Sequence, residues 1–262
     1  MKMKTKLILS FIAAMLLQFT TMKADTYTDG LTKLINSEVL AAFNEKSFQA
    51  ATQIPGANAN YTISELKNDA IEWLAPYYRK TMSEKEFNEM VAYYMQPDIM
   101  AIQKKILASA SGDRETMMQQ LMPQMQSLMM GGDTEEIKMP ECDPELKKEI
   151  IHWLEINKTA EYSKATFGSA KQMIGKMTPD NIPAEQKEMI VNMVGRLFSF
   201  LEKNITPLTA TMMINGKVDL KDLQTLNAIE KKPFFANYQK TNSSIAKDMS
   251  SFMNIMIEKM YK

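Results

Sequence analysis

The sequence contains few of the residues that most active sites use. Among its 262 residues are one cysteine, Cys142, and one histidine, His152. One cysteine excludes an internal disulfide, and one histidine excludes a zinc site made of several histidines. No glycine-rich phosphate loop and no Gly-x-Ser-x-Gly motif occur. The sequence therefore predicts no catalytic residue, no metal ligand and no cofactor.

The single histidine and the single cysteine can both be explained without a catalytic or metal-binding role. Glu149 and His152 form a Glu-x-x-His pair, which is half of the ligand set of a di-iron bundle. A second pair would need a second histidine, so we expect His152 to be a helix residue beside Trp153. Cys142 is either a buried bystander or an exposed thiol that pairs between chains.

Long apolar runs are also missing. The longest opens the chain, where three lysines in "MKMKTK" precede the thirteen residues "LILSFIAAMLLQF" and a short polar stretch. Spanning a bilayer takes about 20 apolar residues. The layout is typical of a secretory signal peptide, cleaved after Ala24. We therefore expect a periplasmic or secreted protein without a membrane span after signal removal.

Basic residues are not in excess, and only three of them are arginine. Removing residues 1–24 would leave 27 lysine and arginine residues against 31 acidic ones, a formal charge of −4. Nucleic-acid binding requires a basic surface. The composition therefore argues against a nucleic-acid partner.

What the sequence has in abundance are helix-forming residues and helix boundaries. Nine glycines in the whole chain leave long stretches rich in Met, Leu, Lys, Glu and Ala. "TISE" at 62–65 and "SEKE" at 83–86 are capping boxes, and "DPEL" places Asp143 at an N-cap. From Pro183, apolar residues follow at three- and four-residue spacings. The predicted fold is all-α.

A pattern recurs after 136 residues. Residues 82–104 align without a gap on residues 218–240, and each segment reads as a capped amphipathic helix, a break before proline, and a second helix. This predicts a bundle of two related helical-hairpin repeats, in halves 25–132 and 143–262 with a linker at 133–142. The aligned pairs are Phe87 with Leu223, Met90 with Leu226, Tyr93 with Ile229, Pro97 with Pro233, Gln103 with Gln239, and Lys104 with Lys240.

Methionine accounts for 25 residues and forms two stripes at helical spacing. Met118, Met122, Met125 and Met129 form the first, and Met249, Met253, Met256 and Met260 form the second. Such faces are expected to be buried against other helices. The alternative is a soft-metal Cu(I) or small-ligand carrier that uses the thioethers.

The second hairpin, "KDLQTLNAIEKKPFFANYQKTNSSIAKDM", resembles the C-terminal part of the DUF2059 family of exported bacterial proteins. A helix of that family ends in a phrase like "FY-x-T-P-x-G-x-K". Tyr93, Tyr94 and Pro97 keep its aromatic pair and proline, whereas Pro233 and Lys240 stand near it in the second copy; both copies lack the glycine. The resemblance covers about residues 145–250 and implies an all-helical exported module whose biochemical role is unassigned.

These observations favour a non-catalytic interaction module with an unknown protein partner. The residues of the repeated motif are its candidate interaction site. They are Tyr93, Tyr94, Pro97, Gln103, Lys104, Pro233, Phe235, Gln239 and Lys240.

Overall fold

The computed structural model describes residues 26–52, 58, 60–112, 123–124, 126–127, 132, 136–177 and 183–261. Within these ranges the chain forms α-helices, one 3-10 turn and no strand, which confirms the predicted all-α fold. No described helix is both long enough and apolar enough to cross a bilayer. The signal-peptide region and the first methionine stripe lie outside the described residues.

The helices are numbered here in chain order, and the 3-10 turn lies between α9 and α10. They are α1 (Thr26–Ile35), α2 (Glu38–Thr52), α3 (Ile63–Thr81), α4 (Glu84–Tyr94), α5 (Pro97–Gly112), α6 (Pro144–Ile156), α7 (Thr159–Met177), α8 (Ala184–Asn215), α9 (Leu220–Asn227), the 3-10 turn Ala228–Lys231, α10 (Phe235–Lys247) and α11 (Met249–Tyr261).

Helix starts follow the predicted capping residues. At α4, the Ser83 hydroxyl accepts a hydrogen bond from the Glu86 N–H at 3.3 Å, and the Glu86 carboxylate accepts one from the Ser83 N–H at 2.8 Å. Thr62 and Glu65 repeat this arrangement at α3, and Asp143 caps α6. Each cap satisfies backbone N–H groups that have no partner inside the helix.

The described residues form two compact units that divide the chain differently from the predicted halves. Unit 1 contains the described residues from Thr26 to Lys104 together with 228–261, and unit 2 contains those from Lys105 to Asn227. The C-terminal helices belong to unit 1 because α10 and α11 both pack against α3.

The core of unit 1 forms where α1 packs against α3 and α4. The Tyr27 ring lies 4.9 Å from the Phe87 ring, and its hydroxyl donates to the Met82 carbonyl at 2.7 Å. Gly30 allows α1 and α4 to approach closely, since a Cβ there would lie 2.6 Å from Phe87 Cε1. Each large apolar side chain buried in this way stabilises the fold by about 1.5–3 kcal/mol.

In unit 2, α7 packs along α8 and α6 packs against α9. The rings of Phe167 and Phe198 stack at 5.5 Å between the first pair. Asn204 is buried, and its amide oxygen accepts a hydrogen bond from the Ile137 N–H at 2.8 Å, so the middle of the predicted linker is attached to α8. The expected apolar face of α8 is interrupted at its start, because Met189 is 63% exposed.

The two aligned segments have the same local structure. Each contains a helix, a break next to proline and a second helix, and the apolar partners at the first three aligned pairs are all buried. Asp219 and Asp222 form a reciprocal cap at α9, 136 residues after Ser83 and Glu86. These similarities are compatible with an internal repeat, which stays a prediction.

The capping carboxylate of Glu86 makes stability dependent on pH. Hydrogen bonds from the Ser83 backbone and hydroxyl lower its pKa below the unfolded value of 4.5. A lowered folded-state pKa adds stability that is complete above the unfolded pKa and decreases as the pH falls below it.

We therefore expect wild type to be more stable than Glu86→Gln at pH 7, by roughly 0.5 kcal/mol because the group is close to solvent. Glutamine keeps the cap without titrating. The difference should disappear towards pH 3, as measured by urea unfolding over a pH series. A difference that stays constant with pH would contradict this assignment.

Candidate interaction surface

The end of α4 meets the start of α10 in an aromatic cluster within unit 1. The Tyr93 ring lies 6.1 Å from the Phe234 ring, and the Tyr94 and Tyr238 rings lie 5.9 Å apart. The hydroxyls of Tyr94 and Tyr238 are 2.9 Å apart, with Tyr94 donating. We call these four residues and Phe235, whose ring lies 6.4 Å from the Tyr238 ring, the tyrosine cluster.

Two exposed turns lie beside this cluster. The first is residues 96–98, where α4 has ended and Pro97 begins α5; the second is residues 230–233, which end with Pro233 shortly before α10. All seven residues are exposed, whereas Tyr93 and Phe234 next to them are buried. We call residues 96–98 and 230–233 the paired turns.

The paired turns carry charges of both signs next to Tyr93. The Lys232 ammonium lies 5.8 Å from the centre of the Tyr93 ring, within the range of a cation–π contact. From the other turn, the Asp98 carboxylate helps to raise the pKa of Tyr93, after burial, which is the larger cause. Lys232 and Asp98 therefore both act on one ring although they are 134 residues apart in the sequence.

The phenols of the cluster are suited to packing and hydrogen bonding. Burial is the main cause that raises the pKa of Tyr93, Tyr94 and Tyr238 above the ordinary value of 10.0. These hydroxyls therefore stay protonated at neutral pH. A phenolate that could act as a nucleophile or general base is not formed there under those conditions.

The remaining motif residues are spread along α5 and α10. Lys104 makes an ion pair with Glu38 on α2 at 2.5 Å, and Lys240 donates to the Asn237 amide oxygen at 3.2 Å. Gln103 and Gln239 are half-buried. The structure thus brings Tyr93, Tyr94, Pro233 and Phe235 to one region, with Pro97 in the neighbouring turn, and leaves the four polar residues farther along the two helices.

Sequence reasoning missed three members of this region. Phe234 and Tyr238 lie four residues apart, which places both on one side of the chain as it enters α10, and this spacing was the available signal. Lys232 stands near the family phrase in the second copy, but a lysine in a turn is usually solvated, so the sequence did not predict its contact. Its position over Tyr93 depends on the contact between two distant segments.

The candidate metal ligands either make other contacts or lie apart from one another. The Glu149 carboxylate accepts a hydrogen bond from the Asn227 amide at 2.6 Å, which ties α6 to α9. Both His152 and Cys142 are half-buried. Within the described ranges, no three side chains among His, Cys, Asp and Glu are close enough to hold a metal ion.

The described part of the second methionine stripe contributes to the core. Met249 and Met256 are buried, Met253 is half-buried, and the Met256 sulfur lies 4.0 Å from the Tyr61 hydroxyl. Thioethers adapt their shape to irregular gaps between helices. Their burial agrees with the predicted packing role.

The hydrogen bond between Tyr94 and Tyr238 can be measured with a double-mutant cycle. We expect Tyr94→Phe and Tyr238→Phe each to lower the free energy of unfolding by about 1 kcal/mol, with a coupling energy of about 0.5–1.5 kcal/mol between them. Urea unfolding of the four proteins measures this coupling. Strictly additive effects would show that the hydroxyls do not interact.

The region therefore consists of a buried aromatic support and two exposed turns drawn from distant parts of the sequence. No family model, curated protein or solved structure matches this chain.

Proposed function

We propose that this protein is an exported, non-catalytic helical module that binds a protein partner through the paired turns. One observation carries the proposal. The breaks of the two aligned segments lie next to each other, so that both turns meet around Tyr93. Residues of both predicted motifs then form one exposed surface over one buried cluster.

The tyrosine cluster supports such a role because it restricts the conformations of the paired turns in the unbound protein. Tyr93 and Phe234 are buried, and the hydroxyls of Tyr94 and Tyr238 are joined. A surface that is already ordered loses less conformational entropy on binding. The exposed turn residues include acidic Asp98 and Glu230 and basic Lys231 and Lys232, so we expect a partner with charges of both signs.

The other classes of function have less support. Catalysis would need an activated group, and the phenols of the cluster remain protonated at neutral pH. A soft-metal carrier would need accessible sulfurs, whereas Met249 and Met256, in the described part of the second stripe, are buried. The resemblance of residues 145–250 to the DUF2059 family agrees with an exported helical module and adds no reaction.

Export through the N-terminal signal peptide is part of the proposal, and it has a direct test. We expect the protein recovered from the periplasm or medium to begin at Asp25, because the apolar run is followed by a short polar stretch ending in Ala24. N-terminal sequencing or intact-mass measurement identifies the first residue of the recovered protein. A retained residue 1, or recovery only from the cytoplasm, would contradict export.

Site-specific photo-crosslinking tests the paired turns. We expect p-benzoylphenylalanine at Asp98 and at Lys231 to give the same crosslinked partner, because the two turns form one surface. Glu72 is the matched control, since it is also exposed in unit 1 but lies on α3 next to Trp73, which binds Ser251 near the start of α11. Mass spectrometry of the crosslinked species identifies the partner.

Different partners from the two turns, or equal yields from Glu72, would contradict a shared surface. Lys232→Glu supplies a second measurement. It reverses the charge beside Tyr93 at the surface and should weaken binding of the identified partner by about tenfold while leaving the unfolding midpoint nearly unchanged. A reproducible substrate turnover by the purified protein, abolished by a point substitution, would refute the non-catalytic assignment.

A further inference from the structure

The last helix, α11, packs against a face of α3, which we call the α3 groove, and has two kinds of contact there. Phe252 stacks on Trp73 with ring centres 5.0 Å apart, and Met256 lies against Tyr61. Met249, Phe252 and Met256 are all buried. Among the described helices, α11 contacts mainly α3 and its neighbour α10.

Polar side chains at every fourth residue of α3 bind the C-terminal helices. Asp69 pairs with Lys259, the Trp73 indole donates to the Ser251 hydroxyl at 2.8 Å, Tyr77 donates to Asp248, and the hydroxyls of Thr81 and Thr241 are 2.5 Å apart. Residues four apart share one face of a helix. The partners run in the reverse order, so α10 and α11 run antiparallel to α3.

The bend between α10 and α11 occurs at Asp248 without the usual cause of a helix break. Residues 235–261 contain neither glycine nor proline, and sharp bends normally have such a local cause. Asp248 has φ −105° and ψ 11°, about 40° and about 50° from helical values. The bend is held by tertiary contacts, since Asp248 binds Tyr77 and its carboxylate accepts from the Ser251 hydroxyl at 2.9 Å.

We propose that Asp248 is a hinge, and that α11 can swing out as the end of a continuous helix to occupy the α3 groove of a second copy of this chain. The groove accepts the second copy because it already binds the same helix within one chain. In such an exchange the contacts of α11 with α3 are re-formed between chains, and the contacts that hold the bend at Asp248 are lost. This inference is independent of the proposed function.

The hinge is tested by two substitutions at one position. Asp248→Ala and Asp248→Gly remove the same carboxylate and its bonds to Tyr77 and Ser251, but alanine favours a continuous helix by about fivefold over glycine. An exchanged dimer contains two straightened hinges. We therefore expect the dimer association constant of Asp248→Ala to exceed that of Asp248→Gly by about 25-fold, measured by sedimentation equilibrium. Equal constants, or an alanine variant that stays monomeric, would overturn the proposal.

A charge exchange identifies α11 as the element that moves. Asp69→Lys and Lys259→Asp each place like charges in the groove of their own chain, whereas a dimer of the two variants pairs opposite charges in both grooves. We expect mixing them to give heterodimers at least about fivefold in excess of either homodimer. The double variant, which restores the pair within one chain, is the control and should behave like wild type. Mixing that yields no excess of heterodimer would overturn the exchange of α11.

Folding of each variant is checked by circular dichroism and by Trp73 fluorescence in a Trp153→Phe background. A measurement on the unaltered protein covers the case in which a variant does not fold. Wild type labelled with ¹⁵N is incubated at high concentration with unlabelled wild type and examined by native mass spectrometry. Dimers of mixed mass are expected, and monomers alone at every concentration would refute the exchange.

Discussion

The contact of the C-terminal helices with α3 is the interaction on which the rest of unit 1 depends. It places Tyr238 on α10 within hydrogen-bond distance of Tyr94 on α4 and Phe234 against Tyr93. Without that contact the two turns would belong to separate parts of the chain. The candidate surface is therefore a product of long-range packing, and its stability is linked to that of the whole unit.

Polar side chains direct this packing. The capping carboxylate of Glu86 accepts a hydrogen bond from Asn237 on α10 at 2.8 Å, in addition to its bonds with Ser83. At the aligned position in unit 2, Asp222 pairs with Lys105 at 2.5 Å. In both units a residue that starts one helix also fixes a second helix. Such contacts add modestly to stability, but they select one arrangement among several that would bury similar apolar area.

The composition of the chain also accounts for the packing of the methionines and for the hinge at Asp248. A chain with many flexible apolar side chains can fill irregular gaps, as the buried Met256 does against Tyr61. It also contains few residues that interrupt a helix. The bend at Asp248 consequently has to be maintained by Tyr77 and Ser251. Bends held by tertiary contacts can open when those contacts are exchanged, whereas a proline would make the bend permanent.

The sequence by itself determined the helices and most of their ends. Thr62, Ser83 and Asp143 act through residues two or three positions away, and the stop at Asn215–Gly216 is equally local. The repeat and the family resemblance also led to the prediction of Tyr93, Tyr94 and Phe235 as motif residues. Only the tertiary structure decided that α10 joins unit 1, that Lys232 lies over Tyr93, and that Met189 is exposed. The physical reason is that amphipathic faces specify burial without specifying a partner, so the choice among helices depends on contacts between residues more than a hundred positions apart.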